Sequence, residues 1–82
     1  MAVTRTTTYE HVFHMANCEE MDYAANIIDT YTKVTKPVES YEFDGDEPFE
    51  VAFYTAKPLS RATIKKINGD IKPRDYNYNT QK

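Results

Sequence analysis

Cysteine is nearly absent from this sequence: Cys18 stands alone, so no disulfide can form within the chain. Small secreted domains usually rely on such staples, and a single thiol points to the reducing interior of a cell. Glycine is almost as scarce. Gly45 and Gly69 cannot build the glycine-rich loop that cradles a phosphate. Tryptophan is missing, and no apolar run approaches the roughly 20 residues that a membrane-spanning helix needs. No basic-then-apolar leader opens the sequence, and Ala2 stands where N-myristoylation needs glycine. The expectation is a cytoplasmic protein (host-cell resident, if viral) with no membrane partner.

What is present suits one small domain over residues 1–82. A chain of this length buries only roughly 60–65% of its unfolded surface, so its core is thin. Seven Tyr and four Phe supply much of the large apolar surface. Tyrosine joins an apolar ring to a polar tip and suits half-exposed and interfacial places. The net charge of −3 conceals a division: residues 1–56 hold eleven acids and three bases, residues 57–82 seven bases and two acids. Polarisation of that kind speaks about partners or self-association, not about fold.

Thr4 to Met15 is rich in Thr, Tyr, Val and Phe and reads as a strand. Asn17 reads as a helix cap, with Glu20 at capping-box spacing, and Met21, Ala24, Ala25, Ile28 and Tyr31 form an apolar stripe. That predicts a helix near residues 18–33. Val38–Asp44 and Phe49–Thr55 flank a glycine-containing turn and predict a hairpin. Ser60 caps a second helix that Asn68-Gly69 should end. Ile71 could open a short last strand, which Pro73 confines to a sheet edge. Residues 76–82 read as a frayed tail.

The expected fold class is α+β: a small ferredoxin-like, split βαβ arrangement with two helices on one face of an antiparallel sheet. Its buried face would hold Tyr9, Phe13, Met15, Tyr41, Phe43, Val51 and Phe53. Its open face would show Glu10, Val12, His14, Ser40, Glu42, Asp44, Glu50, Ala52 and Tyr54.

The densest acidic stretch runs from Glu39 to Glu50, with six carboxylates in twelve residues. A calcium loop started at Asp44 and Asp46 fails, because Pro48 takes an oxygen-ligand position and Phe49 the glycine position. His11 and His14 are three apart and, on a strand, face opposite ways, so they cannot share a metal. Cys18 reads as a buried or half-buried inert thiol, with Glu19 and Glu20 opposing any lowered thiol pKa. The expectation is no catalytic, metal or cofactor residue and a protein that is not an enzyme. The candidate partner-binding residues are Glu39, Glu42, Asp44, Asp46, Glu47, Glu50 and Tyr54. An acidic face would repel nucleic-acid phosphate and suits a basic protein, such as a nucleic-acid-binding enzyme.

Lys57, Arg61, Lys65 and Lys66 form the alternative surface. Lys57, Arg61 and Lys65 recur at four-residue spacing and make one ridge if the helix starts early, facing nucleic acid or a second copy in a homodimer. Ser60-Arg61-Ala62-Thr63-Ile64 with Asn68-Gly69-Asp70 resembles the recognition helix of LacI-type helix-turn-helix repressors, and Glu50-Val51-Ala52 resembles part of the helix before it. The resemblance implies that Ser60, Arg61 and Thr63 face DNA. It departs at Lys57-Pro58, where a glycine turn belongs, and the family is not adopted. In size, acidity and lack of motifs the chain is similar to the small proteins phages make to block host or defence machinery. The leading expectation is a small non-enzymatic inhibitor or adaptor. A DNA-binding regulator is the first alternative; a small dimeric ligand-binding protein or enzyme, with His14, Tyr54 and Glu10 or Glu42 in its cavity, is the second.

Overall fold

The computed structural model describes residues 8–46 and 48–81. It is an α+β structure in the order β1 (Tyr9–Met15), α1 (Cys18–Ile27), a single 3₁₀ turn (Ile28–Thr30), β2 (Glu39–Glu42), β3 (Phe49–Thr55), α2 (Arg61–Ile71) and β4 (Asp75–Gln81). The four strands form one antiparallel sheet in the order β2-β3-β1-β4. β1 and β2 therefore run parallel with β3 between them, and β3 and β4 run parallel with β1 between them.

Strand periodicity sets the core. On β1 every second residue, His11, Phe13 and Met15, is fully buried; on β3 the same holds for Val51 and Phe53. Register places Phe13 opposite Val51 and His11 opposite Phe53, so these side chains share one face. Met21, Ala24 and Ile28 from the α1 segment, and Leu59, Ile67 and Ile71 from the α2 segment, complete the same cluster. Phe13 and Phe53 meet edge-on at 5.9 Å.

Both helix starts lie where their caps place them. The Asn17 side chain accepts a hydrogen bond from the Glu20 N–H at 2.8 Å, and Ser60 accepts one from the Thr63 N–H at 3.2 Å. The helix ends differ from expectation. α1 stops at Ile27 and tightens into the 3₁₀ turn, not near residue 33. Here Ile27, Ile28, Thr30 and Thr32 put β-branched side chains, poor helix formers, in quick succession. α2 continues through Asn68-Gly69 to Ile71. Ile71, four residues after Ile67, is buried in the same stripe, and that burial outweighs glycine's poor helix propensity, about 1 kcal/mol. The role expected of glycine falls to Lys72, which adopts the left-handed conformation at φ 55° while its N–H bonds the Asn68 carbonyl. A side chain pays about 1–2 kcal/mol for that conformation. Lys72→Gly is accordingly expected to raise stability by about 0.5–1 kcal/mol, read as a melting-point rise of a few degrees.

Two further expectations are corrected. Residues 75–81, read as mostly frayed tail, form a full edge strand on β1. And β2 sits in the other register. The Phe43 N–H bonds the Pro48 carbonyl, so a four-residue loop closes the hairpin and Tyr41 faces Glu50, not an odd-numbered residue of β3. A shift of one residue reverses every side chain on a strand. Tyr41 therefore lies on the face of Glu50 and Tyr54, while Ser40 and Glu42 lie on the helix side; Tyr41 and Phe43 are exposed at 39% and 48%. Cys18 is exposed rather than buried.

Candidate functional site

The carboxylates singled out in the sequence divide into two groups. Glu39 and Glu50 lie on the sheet face away from the helices, and both are engaged there. Lys36 Nζ sits 3.0 Å from Glu39 Oε1, and the Tyr41 hydroxyl donates to the other Glu39 oxygen. His14 Nε2 lies 3.2 Å from Glu50 Oε2, an ion pair when the imidazole is protonated. Tyr54 is buried instead of open: its hydroxyl donates to Glu10 Oε2 at 3.0 Å, and Lys36 Nζ stands 4.0 Å over its ring. The chain after α1 makes this possible, because the Thr35 N–H bonds the Tyr54 carbonyl where β2 no longer covers β3. The face is thus partly roofed, and Tyr54, expected on an open face, is covered.

The second group stands at the hairpin tip. Glu42, Asp44 and Asp46 are exposed, and none pairs with a cation among the described residues. Glu47 lies outside the described residues. Gly45 takes a φ of 127° in this turn, a conformation side chains rarely adopt. On the same tip, on the face opposite Glu42, Tyr41 and Phe43 stack with ring centroids 5.8 Å apart. Their exposure was missed in the sequence, because alternation alone cannot tell which register a hairpin takes. The signal available was the loop length. Two uncovered aromatic rings on a tip whose exposed carboxylates pair with no cation among the described residues can bury apolar area and meet cations at once.

Of the basic set, Arg61, Lys65 and Lys66 lie on α2 and are exposed; Lys57 precedes the helix, which starts at Arg61, so the expected ridge loses its first member. Glu50-Val51-Ala52 belong to β3, which removes the upstream helix that a helix-turn-helix needs. Of the cavity set, His14, Tyr54 and Glu10 share one sheet face, with the Tyr54 hydroxyl donating to Glu10, whereas register sends Glu42 to the helix side. His11 and His14 do face opposite ways, His11 fully buried. Among the described residues no three His, Cys, Asp or Glu side chains come together as metal ligands, and no helix is long and apolar enough to cross a membrane.

Comparison with protein-family models, with curated proteins and with solved structures finds no match to this chain.

Proposed function

We propose that the chain is a non-enzymatic binding module, an inhibitor or adaptor, whose β2–β3 hairpin docks on a basic protein surface. The observation that carries this is the stacked Tyr41–Phe43 pair, exposed on a hairpin tip that also exposes Asp44, Asp46 and, on the opposite face, Glu42, none of them paired with a cation among the described residues. Aromatic anchors supply most of the affinity in protein interfaces, whereas rim charges select the partner and speed encounter. The partner class is a protein with Lys and Arg around a shallow apolar recess, such as a nucleic-acid-binding enzyme whose groove the tip could occupy. Likeness to phage-encoded inhibitors is part of this proposal, as is a cytoplasmic setting. The element order, with each helical connection passing over one strand, supports reading the path as ferredoxin-like.

The test is capture from nuclease-treated lysate with three baits: the natural chain, E42K/D44K/D46K, and Y41A/F43A. One protein held at stoichiometry by the natural chain and lost from both variants is the expected result. The purified pair should then bind at least about 30-fold more weakly through either variant, a change of about 2 kcal/mol. Equal capture by all three baits sinks the hairpin reading. Both variants alter only exposed side chains and should keep the natural melting temperature within a few degrees.

A further inference from the structure

At the end of the sheet opposite the hairpin, two connections that are distant in sequence meet. The segment 32–35 after α1 and the segment 55–60 before α2 enclose an open cleft of about 710 Å³. That lies within the range of about 300–1,000 Å³ typical of small-molecule sites. Among the described residues its charge is of one sign: Lys33 and Lys57 line it from opposite connections, and no carboxylate does. Its lining also has apolar side chains, buried Leu59 with Val34 and Pro58.

The hydroxyls along the cleft can be accounted for one by one. Thr55 donates to the Lys57 carbonyl at 2.6 Å, so its proton is taken. The Thr35 hydroxyl is directed at the Tyr54 carbonyl at 3.4 Å. Ser60 and Thr63 share one hydrogen bond at 3.0 Å, which leaves one of the two with a proton to give. The Thr32 hydroxyl makes no side-chain hydrogen bond among the described residues. Two ammonium groups and two hydroxyl protons are therefore available to a ligand beside apolar side chains, and no described residue of the lining carries a negative charge.

We propose that this cleft binds a small phosphate monoester with an apolar body, its phosphate between Lys33 and Lys57 and its body over Leu59 and Pro58. The site is independent of the hairpin and does not depend on the proposed function. A phosphate carried by nucleic acid is the competing source of the same chemistry. It fits less well, because the lysines line a recess with apolar side chains, whereas Lys65 and Lys66 lie outside the cleft.

The test is titration of the ¹⁵N-labelled full chain, followed by amide shifts, with phenyl phosphate, inorganic phosphate and a single-stranded oligonucleotide. Saturable shifts with phenyl phosphate at Thr35, Lys57 and Ser60 are expected, with a dissociation constant of about 1 mM or below. Inorganic phosphate should bind about tenfold more weakly for want of the apolar contact. K33A and K57A should each weaken phenyl phosphate about tenfold, while K65A leaves it unchanged. Absence of saturation by about 10 mM overturns the proposal. So does equal weakening by K65A, or tighter binding of the oligonucleotide centred on Arg61, Lys65 and Lys66.

Discussion

Ending the chain after Arg74 is expected to unfold the domain, although the lost segment is polar and reads in sequence as a tail. β4 pairs with β1 along nearly its whole length and carries Tyr78, whose half-buried ring packs against His11, Phe13 and Phe53. Burial raises the Tyr78 phenol pKa well above its ordinary value, as expected of a ring drawn into the core. Asn79, left-handed at φ 65°, turns its side chain back to accept from the Leu59 N–H and donate to the Leu59 carbonyl. Removing the strand exposes the β1 edge, uncovers the Tyr78 contact and orphans the Leu59 backbone. Together these losses exceed about 5 kcal/mol, the lower end of what a small domain has in total. Circular dichroism and amide-proton dispersion of the truncated chain would show it; a truncated chain that melts cooperatively near the natural temperature would mean β4 contributes little. Single substitutions grade the same effect. Tyr78→Ala should cost about 2–4 kcal/mol, and Tyr76→Ala, 52% exposed, under about 1 kcal/mol.

The second large effect centres on His11. The Asn79 N–H donates to His11 Nδ1 at 2.8 Å, so that nitrogen carries no proton. The neutral ring must then hold its proton on Nε2, which donates to Thr55 Oγ1 at 2.7 Å, and Thr55 passes its own proton to the Lys57 carbonyl. Every group in this chain is satisfied, and the ring also packs 4.8 Å from Phe53. Burial, opposed weakly by the Glu10 charge, lowers the His11 pKa from 6.5 to about 4. A second proton would also have to sit on Nδ1, facing the Asn79 N–H. The folded state therefore holds the imidazole neutral where the unfolded chain has begun to protonate it. The resulting stability is fully present above pH 6.5 and is lost as pH falls toward about 4, amounting to about 3 kcal/mol. Urea unfolding at pH 7.5 and pH 4.5 should show most of that difference in the natural chain. His11→Ala should cost about 3–5 kcal/mol at pH 7.5, because it opens a cavity and orphans the Asn79 N–H. In any His11 variant that still folds, the loss between those two pH values should shrink by most of the histidine share. An undiminished loss would assign the acid sensitivity to carboxylates instead.

Much of this architecture is legible in the residues because it rests on local chemistry. Asn17 and Ser60 are the caps the sequence points to, since a cap needs only a side-chain oxygen near an N–H three residues on. The alternation of β1 and β3 assigns His11, Phe13, Met15, Val51 and Phe53 to the core, because side chains two apart on a strand share the face that the helices cover. The acidity of the hairpin tip is likewise plain in the sequence. The aromatic half of the candidate site is not, because Tyr41 and Phe43 look like core residues to any period-two reading.

By itself, then, the sequence determined the strand–helix alternation, the caps, the central core and the division of charge. The tertiary structure alone decided the register of β2, because closure of the Phe43–Pro48 turn fixes which residues oppose each other. It alone made a strand of residues 75–81, because a polar segment with little apolar periodicity gains order only from β1's free edge, the His11 ring and the Leu59 backbone. It alone put Lys33 and Lys57 in the lining of one cleft, since a cleft between two connections is a property of where the sheet ends and not of either segment.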